Sequence, residues 1–445
     1  MKKQVQLMAL VVGYLFLSGC FGGTTPVQTL LKAPKLPVEL EEIKTMLNER
    51  FEKEIQYISP ARGDDRHSTQ FVDLDQDGVD EMIILHKLER DPEPMRITIM
   101  YKGANGWAAA EDIKGVGFGI DQIQYPDIDN DGKREILVGW QGGITPKKGL
   151  SIYSYDRGRH ELYFESSYTE FAIGDFTADE TKELIVIQLD INESSARATL
   201  YDDVGKRMVF LDEVKMAGVI NGYYNIISGL VSQDRMGLLV DTTYGAYVAY
   251  TDLLVWRDGQ LENVFYDSQW GKNDRTEKAY PIASEDIDQD GVLEIPIPRS
   301  PLGYDRVATA DKPWITTWYE WDGDNGLDFN AESYTDKRYG FRLKFPARWK
   351  QNITVSLDAE RADSVTLLFV DAYTEEQIPV LTIAAVDRNA WEANLQGSAV
   401  PDYEYLDSTL EKVFVVKRND LEEHEKIQRL AVTMDELAGL FETNQ

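Results

Sequence analysis

The chain has 445 residues, with 46 Lys or Arg against 77 Asp or Glu, so its formal net charge is −31. This charge argues against a nucleic-acid partner, whose phosphates must be neutralised by basic side chains. The 9 Trp, 23 Tyr and 16 Phe argue against disorder, and a single Cys excludes an internal disulfide or a cysteine-based zinc site. The composition therefore predicts a folded, acidic protein of two or three domains.

The first twenty residues predict export and lipid anchoring. Two lysines precede an apolar run from Leu7 to Leu17, which is too short to span a bilayer and has the length of a signal-peptide core. The run ends in the string Leu-Ser-Gly-Cys at Cys20, which closely resembles the lipobox of bacterial lipoproteins. That resemblance implies a signal peptide over residues 1–19, lipidation of Cys20, and a lipid-anchored location on the extracytoplasmic face of a bacterial membrane. Residues 20–38, rich in Gly and Pro, are predicted to be a flexible tether.

Three identical acidic strings recur further along the chain. Each reads D-x-D-x-D-G-x-x-E and precedes a short apolar strand, and the strings start at residues 73, 127 and 286. A fourth copy starts at Asp175 and is degraded, with Thr177 at position 3 and Glu180 in place of the glycine. The spacing places another copy near Gly229, where the acidic positions have become Gly, Val, Gln and Gly. We expect that copy to keep its strand and to hold no metal.

The spacing of the acids predicts calcium loops. Calcium takes six to eight oxygen ligands from a flexible loop, and a glycine at position 6 permits the sharp turn. Without a cation the clustered carboxylates would repel one another, and turn preference alone does not account for three identical strings in register. The predicted ligands occupy positions 1, 3, 5 and 9 and are Asp73, Asp75, Asp77, Glu81, Asp127, Asp129, Asp131, Glu135, Asp286, Asp288, Asp290 and Glu294. The degraded copy offers an incomplete set, Asp175, Thr177, Asp179 and Glu183.

The repeats also contain strand material between the loops. Hairpins are predicted in each repeat, and four short strands in a repeat of about fifty residues are typical of a propeller blade. The loop, the strand after it and the phrase Ala-Ile-Gly-Asp-Phe ending at Phe176 resemble the FG-GAP/VCBS repeats of integrin-α-like β-propellers. The resemblance covers roughly residues 60–332 and implies a β-propeller of five countable repeats with structural Ca²⁺ in its loops.

A second domain is predicted over residues 334–445. The string Gly-Phe-x-Leu-x-Phe-Pro-x-x-Trp, from Gly340 to Trp349, is similar to the opening of PsbP-like α/β domains, in which helices cover an antiparallel sheet. Apolar residues from Ile427 to Phe441 recur at helical spacing and predict a helix there. The predicted fold class is therefore mainly β, with a β-propeller and its N-terminal helix over residues 39–333 and a small α+β domain after it.

Two functions follow from this organisation. The four His share no spacing and carboxylate pairs are too common to be informative, so no catalytic residue is predicted. We expect a membrane-anchored extracytoplasmic lipoprotein whose calcium-stabilised propeller binds an envelope protein or glycan. The alternative is a propeller enzyme that acts on an envelope polymer or glycan at the central funnel. The tripeptide Arg62-Gly63-Asp64, which animal integrins read, is in one sequence more often chance than an adhesion site.

Overall fold

The computed structural model describes residues 38–51, 55–88, 91–103, 106–115, 117–142, 147–357, 363–371, 373–374, 376–394, 403–421 and 427–443. The chain divides into two compact units, Met1–Gln56 with Leu88–Asp91, and Tyr57–Lys87 with Pro92–Gln445. Cys20 and the predicted signal peptide lie outside the described residues, as does the predicted tether up to residue 37. Within the described ranges, none of the helices combines the length and the apolar sequence that crossing a membrane requires.

The first unit contains the N-terminal helix that is predicted together with the propeller domain. This helix, α1 (Val38–Phe51), carries Arg50 in its last turn, where a cation interacts favourably with the helix dipole. Ile43 and Leu47, one turn apart on the same face, are both buried. The predicted N-terminal helix is therefore confirmed.

The second unit is built mainly from antiparallel sheets. The first sheet contains β2 (Thr69–Val72), β3 (Glu81–Leu88), β4 (Met95–Gly103), β5 (Gly106–Ala109) and β6 (Ile113–Gly115), which follow the short β1 (Ile55–Tyr57). The second contains β7 (Gly119–Gln124), β8 (Ile136–Gln141), β9 (Lys148–Asp156) and β10 (Arg159–Tyr168). The third contains β11 (Glu170–Gly174), β12 (Glu183–Asp190), β13 (Ser195–Asp203) and β14 (Met208–Ala217).

Three further sheets follow along the chain. The fourth contains β15 (Gly222–Ser232), β16 (Arg235–Tyr244), β17 (Val248–Arg257) and β18 (Gln260–Asn263). The fifth contains β19 (Ile295–Arg299), β20 (Ile315–Trp321), β21 (Leu327–Asp336), β22 (Phe341–Lys344) and β28 (Phe441–Thr443). The sixth contains β23 (Ile353–Leu357), β24 (Ser364–Val370), β25 (Gln377–Asp387), β26 (Glu404–Ser408) and β27 (Lys412–Arg418). The predicted mainly β class is confirmed by these six sheets.

Apolar clusters join successive sheets face to face. One cluster contains Ile97 of the first sheet and Trp140 of the second, and another contains Leu137 of the second sheet and Val186 of the third. Further clusters join the third sheet to the fourth, the fourth to the fifth, and the fifth to the sixth. Each of these sheets therefore buries its apolar side chains against its neighbours in the sequence, as layered sheets must to exclude water.

One backbone hydrogen bond recurs between successive repeats. In each case the N–H at position 8 of an acidic string donates to the carbonyl at position 2 of the preceding repeat. The three bonds, each 2.8 or 2.9 Å long, join Arg134 to Leu74, Lys182 to Ile128, and Leu293 to Leu230. Leu230 follows Gly229, so the repeat without acids keeps the same contact with its successor. Successive repeats are thus related by the same local geometry at three places.

The C-terminal segment differs from its predicted helix. Residues 427–441 form a 3₁₀ turn (Gln428–Leu430), helix α3 (Met434–Leu440) and then strand β28, so the single helix predicted there is wrong. Thr433 begins α3, since its side chain accepts a hydrogen bond from the Glu436 N–H. Phe441 and the two residues after it pair with β22 instead of continuing the helix. Helix α2 (Arg388–Asn394) and 3₁₀ turns at Thr309–Asp311 and Ala347–Trp349 complete the secondary structure of the described residues.

Candidate metal centres

Four acidic loops close their hairpins in the same register. They are named here by their first residues: the Asp73 loop (73–81), the Asp127 loop (127–135), the Asp175 loop (175–183) and the Asp286 loop (286–294). Position 9 of a loop pairs with the residue just before position 1, as in Val72 with Glu81, Gly174 with Glu183 and Glu285 with Glu294. In the Asp127 loop the N–H of Glu135 donates to the carbonyl of Pro126, at 2.7 Å.

The backbone of the four loops is also the same. Position 4 is left-handed in each, with φ between 54° and 65° at Gln76, Asn130, Ala178 and Gln289. Position 6 is left-handed as well, with φ of 85°, 90°, 77° and 94° at Gly78, Gly132, Glu180 and Gly291. Glycine adopts this conformation without the steric cost that a side chain adds. Glu180 therefore keeps the shape of the Asp175 loop at an energetic cost.

Three hydrogen bonds hold each loop in this shape. The N–H at position 6 donates to the Asp at position 1, at 2.9 to 3.2 Å. The N–H at position 7 donates to the Asp at position 5, at 2.8 or 2.9 Å. The N–H at position 2 donates to Oε2 of the Glu at position 9, at 2.7 to 2.9 Å. In the Asp175 and Asp286 loops the second oxygen of the Asp at position 1 also accepts, from the N–H at position 5, at 3.1 Å.

The carboxylates converge in all four loops. In each group the oxygens lie within 4.8 Å of one another, and the groups are Asp286, Asp288, Asp290 and Glu294; Asp73, Asp75 and Glu81; Asp127, Asp129 and Glu135; and Asp175, Asp179 and Glu183. Of the predicted ligands, Asp77 and Asp131 lie outside these groups, and both are exposed. Thr177 instead donates its hydroxyl to Glu183, at 3.0 Å. The degraded loop thus brings its acids together in spite of two substitutions.

The oxygens of these loops suit a hard cation. Oδ1 atoms of Asp73, Asp75 and Asp127 are buried and have no hydrogen-bond partner. Burial raises the pKa of Glu81 to about 7, and the neighbouring aspartates add to the effect. Burial likewise raises the pKa of Glu294 to about 8. A bound divalent cation would give the unpartnered oxygens a ligand and would offset the free-energy cost of burying charged carboxylates. Calcium prefers such all-oxygen sites.

The Asp127 loop holds a cation that the protein itself supplies. Lys206, in the turn between β13 and β14, places its Nζ 2.8 Å from Glu135, 3.2 Å from Asp129 and 3.3 Å from Asp131. Burial would lower the pKa of Lys206, but the contacts with Glu135 and Asp129 raise it overall, so the ammonium is charged. The Lys206 ammonium therefore lies against oxygens that a metal in this loop would need.

A neutral side chain approaches the Asp286 loop. The Asn330 amide, from β21, donates to Asp288 at 3.1 Å and to Glu294 at 2.6 Å. Lys206 and Asn330 both come from strands or turns far from the loops in sequence, so the spacing of the acids did not reveal them. A lysine neutralises carboxylates and an amide does not, which makes the Asp127 and Asp286 loops chemically different sites.

The fourth sheet has a tight turn where the other repeats have a loop. Ser232 pairs with Arg235, so only Gln233 and Asp234 connect β15 to β16. Gly229 pairs with Gly237, the position that corresponds to the predicted ligand Glu of the other repeats. Residues 229–236 therefore extend the two strands and make a two-residue turn, and they enclose no loop centre.

A buried ion pair stabilises the same sheet. Lys278 Nζ lies 2.7 Å from Oδ1 of Asp241, and both side chains are fully buried. Asp241 also accepts hydrogen bonds from the hydroxyls of Thr251 and Ser284, at 2.6 and 3.0 Å, and from the amide of Asn225, at 2.8 Å. Such complete hydrogen bonding is what allows a charged pair to be buried. This pair attaches the segment between β18 and β19 to the sheet.

A second group of acids converges away from the loops. Arg62 binds Asp121, at 2.8 Å, and Glu170, at 2.5 Å, and thereby links three sheets. Lys148 and Tyr168 also donate to Asp121, at 3.1 and 2.7 Å. Burial alone would raise the pKa of Asp121, but the hydrogen bonds from these donors lower it overall. The guanidinium of Arg62 is thus already paired with two carboxylates of the protein, which argues against an adhesive role for the tripeptide that begins with it.

Comparison with known proteins identifies no family. No family model matches the chain, and no curated protein matches its sequence. Solved structures with some likeness include the exotype rhamnogalacturonan lyase YesX, with a TM-score of 0.32, 10% identity, and coverage of 74% of this chain and 73% of the lyase. The rhamnogalacturonan lyase of Bacillus licheniformis has a TM-score of 0.33 and 12% identity, and covers 73% and 72%. A putative 6-phosphogluconolactonase from Bacteroides uniformis has a TM-score of 0.31 and 9% identity, and the match covers 73% of this chain and 94% of that protein. Likenesses this weak carry no argument about the fold or the activity of the chain.

Proposed function

We propose that the chain is a lipid-anchored extracytoplasmic protein whose first five sheets form a calcium-stabilised β-propeller that binds an envelope protein or glycan. The observation that carries this proposal is the backbone geometry that the four acidic loops share. Their register, left-handed positions and hydrogen bonds are shared even where the sequence is degraded. A turn preference explains an individual loop, whereas a shared ligand explains why position 9 is a buried Glu in all four.

The ring arrangement is supported by the contacts between neighbouring sheets. The bond from position 8 to position 2 of the preceding repeat recurs at three junctions. Repeating one junction produces a constant rotation from sheet to sheet, which is how propeller blades are arranged around an axis. The FG-GAP/VCBS resemblance of the loops predicts the same arrangement and the same ion. Five sheets supply the blades of this proposed ring.

Anchoring is supported by the sequence of the N-terminal segment. The apolar run and the Leu-Ser-Gly-Cys string imply that Cys20 is lipidated, and a multi-chain lipid anchor holds a protein stably on a membrane. Replacement of Cys20 by Ser should abolish labelling with radioactive palmitate and release the protein from the membrane fraction. Retention of unlabelled protein in that fraction would contradict the proposed anchor.

The calcium proposal is tested by thermal unfolding. In chelator the carboxylates within each loop should repel one another, so the melting temperature should be lower than in calcium. Millimolar calcium is used because extracellular modules bind calcium in that concentration range. A site that binds calcium in the folded state alone stabilises it by about 2.7 kcal/mol when free calcium is a hundred times Kd. Magnesium at equal concentration should act less, because it requires octahedral geometry and keeps its waters. A melting temperature that is the same in chelator and calcium would reject the proposal.

The alternative of a glycan-acting enzyme stays a prediction that these observations do not test.

A further inference from the structure

A cavity lies at the opposite ends of the strands from the acidic loops. It has a volume of about 820 Å³, and its lining includes Tyr247, Tyr280, Trp314 and Leu357. Tyr247 lies in the connection from β16 to β17, and Trp314 just before β20. In an antiparallel sheet these connections lie at the edge away from the connection between the first two strands, where the acidic loops are. A ligand in this cavity would therefore not compete with calcium.

Two aromatic rings form one corner of the cavity. The centroids of Tyr280 and Trp314 are 5.8 Å apart and the rings are inclined at 54°. The indole N–H of Trp314 donates to the carbonyl of Thr309, at 2.8 Å, which fixes the orientation of the ring. Tyr247 adds a third ring, and its side chain is largely exposed. Aromatic surfaces held in this way are suited to pack against flat, partly apolar ligands.

Two ammonium groups project into the same corner without a carboxylate partner. Lys337 Nζ lies 4.1 Å from the ring centroid of Tyr280, and Lys312 Nζ lies 4.9 Å from that of Trp314. Among the described residues, neither lysine has a carboxylate oxygen within 4 Å, although the chain carries a net charge of −31. Cation–π contacts replace the ion pair that a lysine ordinarily makes. Burial lowers the pKa of Lys337, as expected for a cation with no counter-charge.

The other charges of the cavity nearly cancel. Arg338 is bound to Asp336 at 2.7 Å, and Asp336 also accepts from the hydroxyl of Tyr334 at 3.0 Å. Lys312 and Lys337 are then opposed by the exposed Asp311. The corner is locally positive in an acidic protein. A neutral ligand would leave both ammonium groups without a partner, and a cationic one would be repelled.

We propose that this cavity binds an anionic saccharide, with the sugar ring packed on Tyr280 and Trp314 and its carboxylate or phosphate bound by Lys312 and Lys337. This deepens the proposed glycan-binding role and rests on it. The apolar face of a pyranose ring matches an aromatic surface, and an ammonium group is a strong donor to carboxylate or phosphate oxygens. Both anions present the same chemistry to the lysines, so the source of the charge is a question for the experiment.

The test measures binding to the full chain in calcium by isothermal titration calorimetry. The probes are an oligomer of glucuronic acid, a glucose phosphate, a neutral glucose oligomer of the same length, and inorganic phosphate. We expect the glucuronate oligomer or the glucose phosphate to bind at least about tenfold more tightly than both the neutral oligomer and inorganic phosphate, which corresponds to about 1.4 kcal/mol. Whichever of the two binds identifies the anion.

Variants separate the cavity from general electrostatics. Lys337→Gln and Lys312→Gln should each weaken binding about tenfold or more, since each removes one charge-assisted contact. Lys215→Gln, which removes an exposed charge on β14, is the matched control and should change nothing. Equal affinity for the neutral oligomer, equal affinity for inorganic phosphate, or no binding of either anionic sugar would each overturn the proposal.

The same samples distinguish this proposal from the calcium proposal. The melting temperature of each variant is measured in chelator and in calcium. If calcium raises it and no anionic sugar binds, the cavity proposal fails and the calcium-stabilised module stands. If an anionic sugar binds and calcium has no effect, the calcium proposal fails and the cavity proposal stands.

Discussion

Replacing Lys206 with Met should strengthen the calcium response of the Asp127 loop. The substitution keeps the length and apolar stem of the side chain and removes the ammonium that lies 2.8 Å from Glu135. Without metal, the variant leaves the clustered carboxylates of this loop without the ammonium that contacts them. With calcium, it removes a competitor from the same oxygens. We therefore expect the variant to be less stable than the wild type in chelator and to bind calcium more tightly.

The magnitude follows from the burial of the two partners. Glu135 is 1% exposed, so its carboxylate is fully desolvated, whereas the Lys206 side chain is 35% exposed and partly screened by water. Removing one partner of a buried pair costs about 3–5 kcal/mol, and exposed pairs contribute about 0–1 kcal/mol. An intermediate cost of about 1–3 kcal/mol in chelator is expected for Lys206→Met. Relief of the same competition should tighten calcium binding at this loop by about tenfold or more, since 1.4 kcal/mol corresponds to a factor of ten.

The assay is urea unfolding and calcium calorimetry of the wild type, Lys206→Met and a control. The control is Lys133→Met, which removes the same charge from within the Asp127 loop but breaks a mainly exposed contact with Asp156, 2.8 Å long. It should cost no more than about 1 kcal/mol and leave the calcium affinity unchanged. If Lys206→Met and Lys133→Met respond alike to calcium, Lys206 does not occupy a metal site and the reasoning fails.

Three other predictions concern the loops. Asp288→Asn should remove one calcium from the calorimetric stoichiometry, whereas Gln233→Ala, in the tight turn of the fourth sheet, should leave it unchanged; equal losses would contradict the assignment of the ligands. Glu180→Gly should raise the free energy of unfolding in urea by about 0.5–1 kcal/mol, because residue 180 has a φ of 77° that glycine adopts without strain; a decrease would show that the side chain stabilises the loop. In chelator, the free energy of unfolding should fall as the pH rises from about 5 to 8. Glu81 and Glu294 have folded-state pKa values of about 7 and 8, which lie above the unfolded value. The folded state therefore binds more protons than the unfolded state in this pH range. Calcium should suppress that fall. Melting curves recorded across this pH range test the prediction, which is refuted if stability in chelator rises with pH.

The acidic loops were predictable because their chemistry is local. Asp73 and Glu81 belong to one hairpin, so their spacing in the sequence already determines that their oxygens can meet. Lys206 and Lys278 were not predictable in this way. Each reaches its carboxylates from a segment distant in sequence, and the two lysines share no flanking pattern that distinguishes them from the other basic residues. Their role depends on how the sheets pack, and the spacing of residues within one repeat does not determine that packing.

The helix predicted over residues 427–441 shows why periodicity can mislead. Ile427, Leu430, Leu437 and Phe441 are all buried in the cluster between the fifth and sixth sheets. A 3₁₀ turn, a short helix and a strand place these side chains in the same core as one helix would have done. The capping side chain of Thr433 marked the true start of the helix, and a local signal of this kind outweighs a weak period.

The position of β28 has a consequence for how the molecule is made. This strand pairs with β22, yet the whole of the sixth sheet separates the two in sequence. During synthesis the fifth sheet therefore cannot gain its last strand until residues 441–443 have left the ribosome, and a contact between such distant segments forms slowly. For the export proposed above, a late closing strand of this kind would delay completion of the fifth sheet and so favour a chain that is still unfolded when it crosses a membrane.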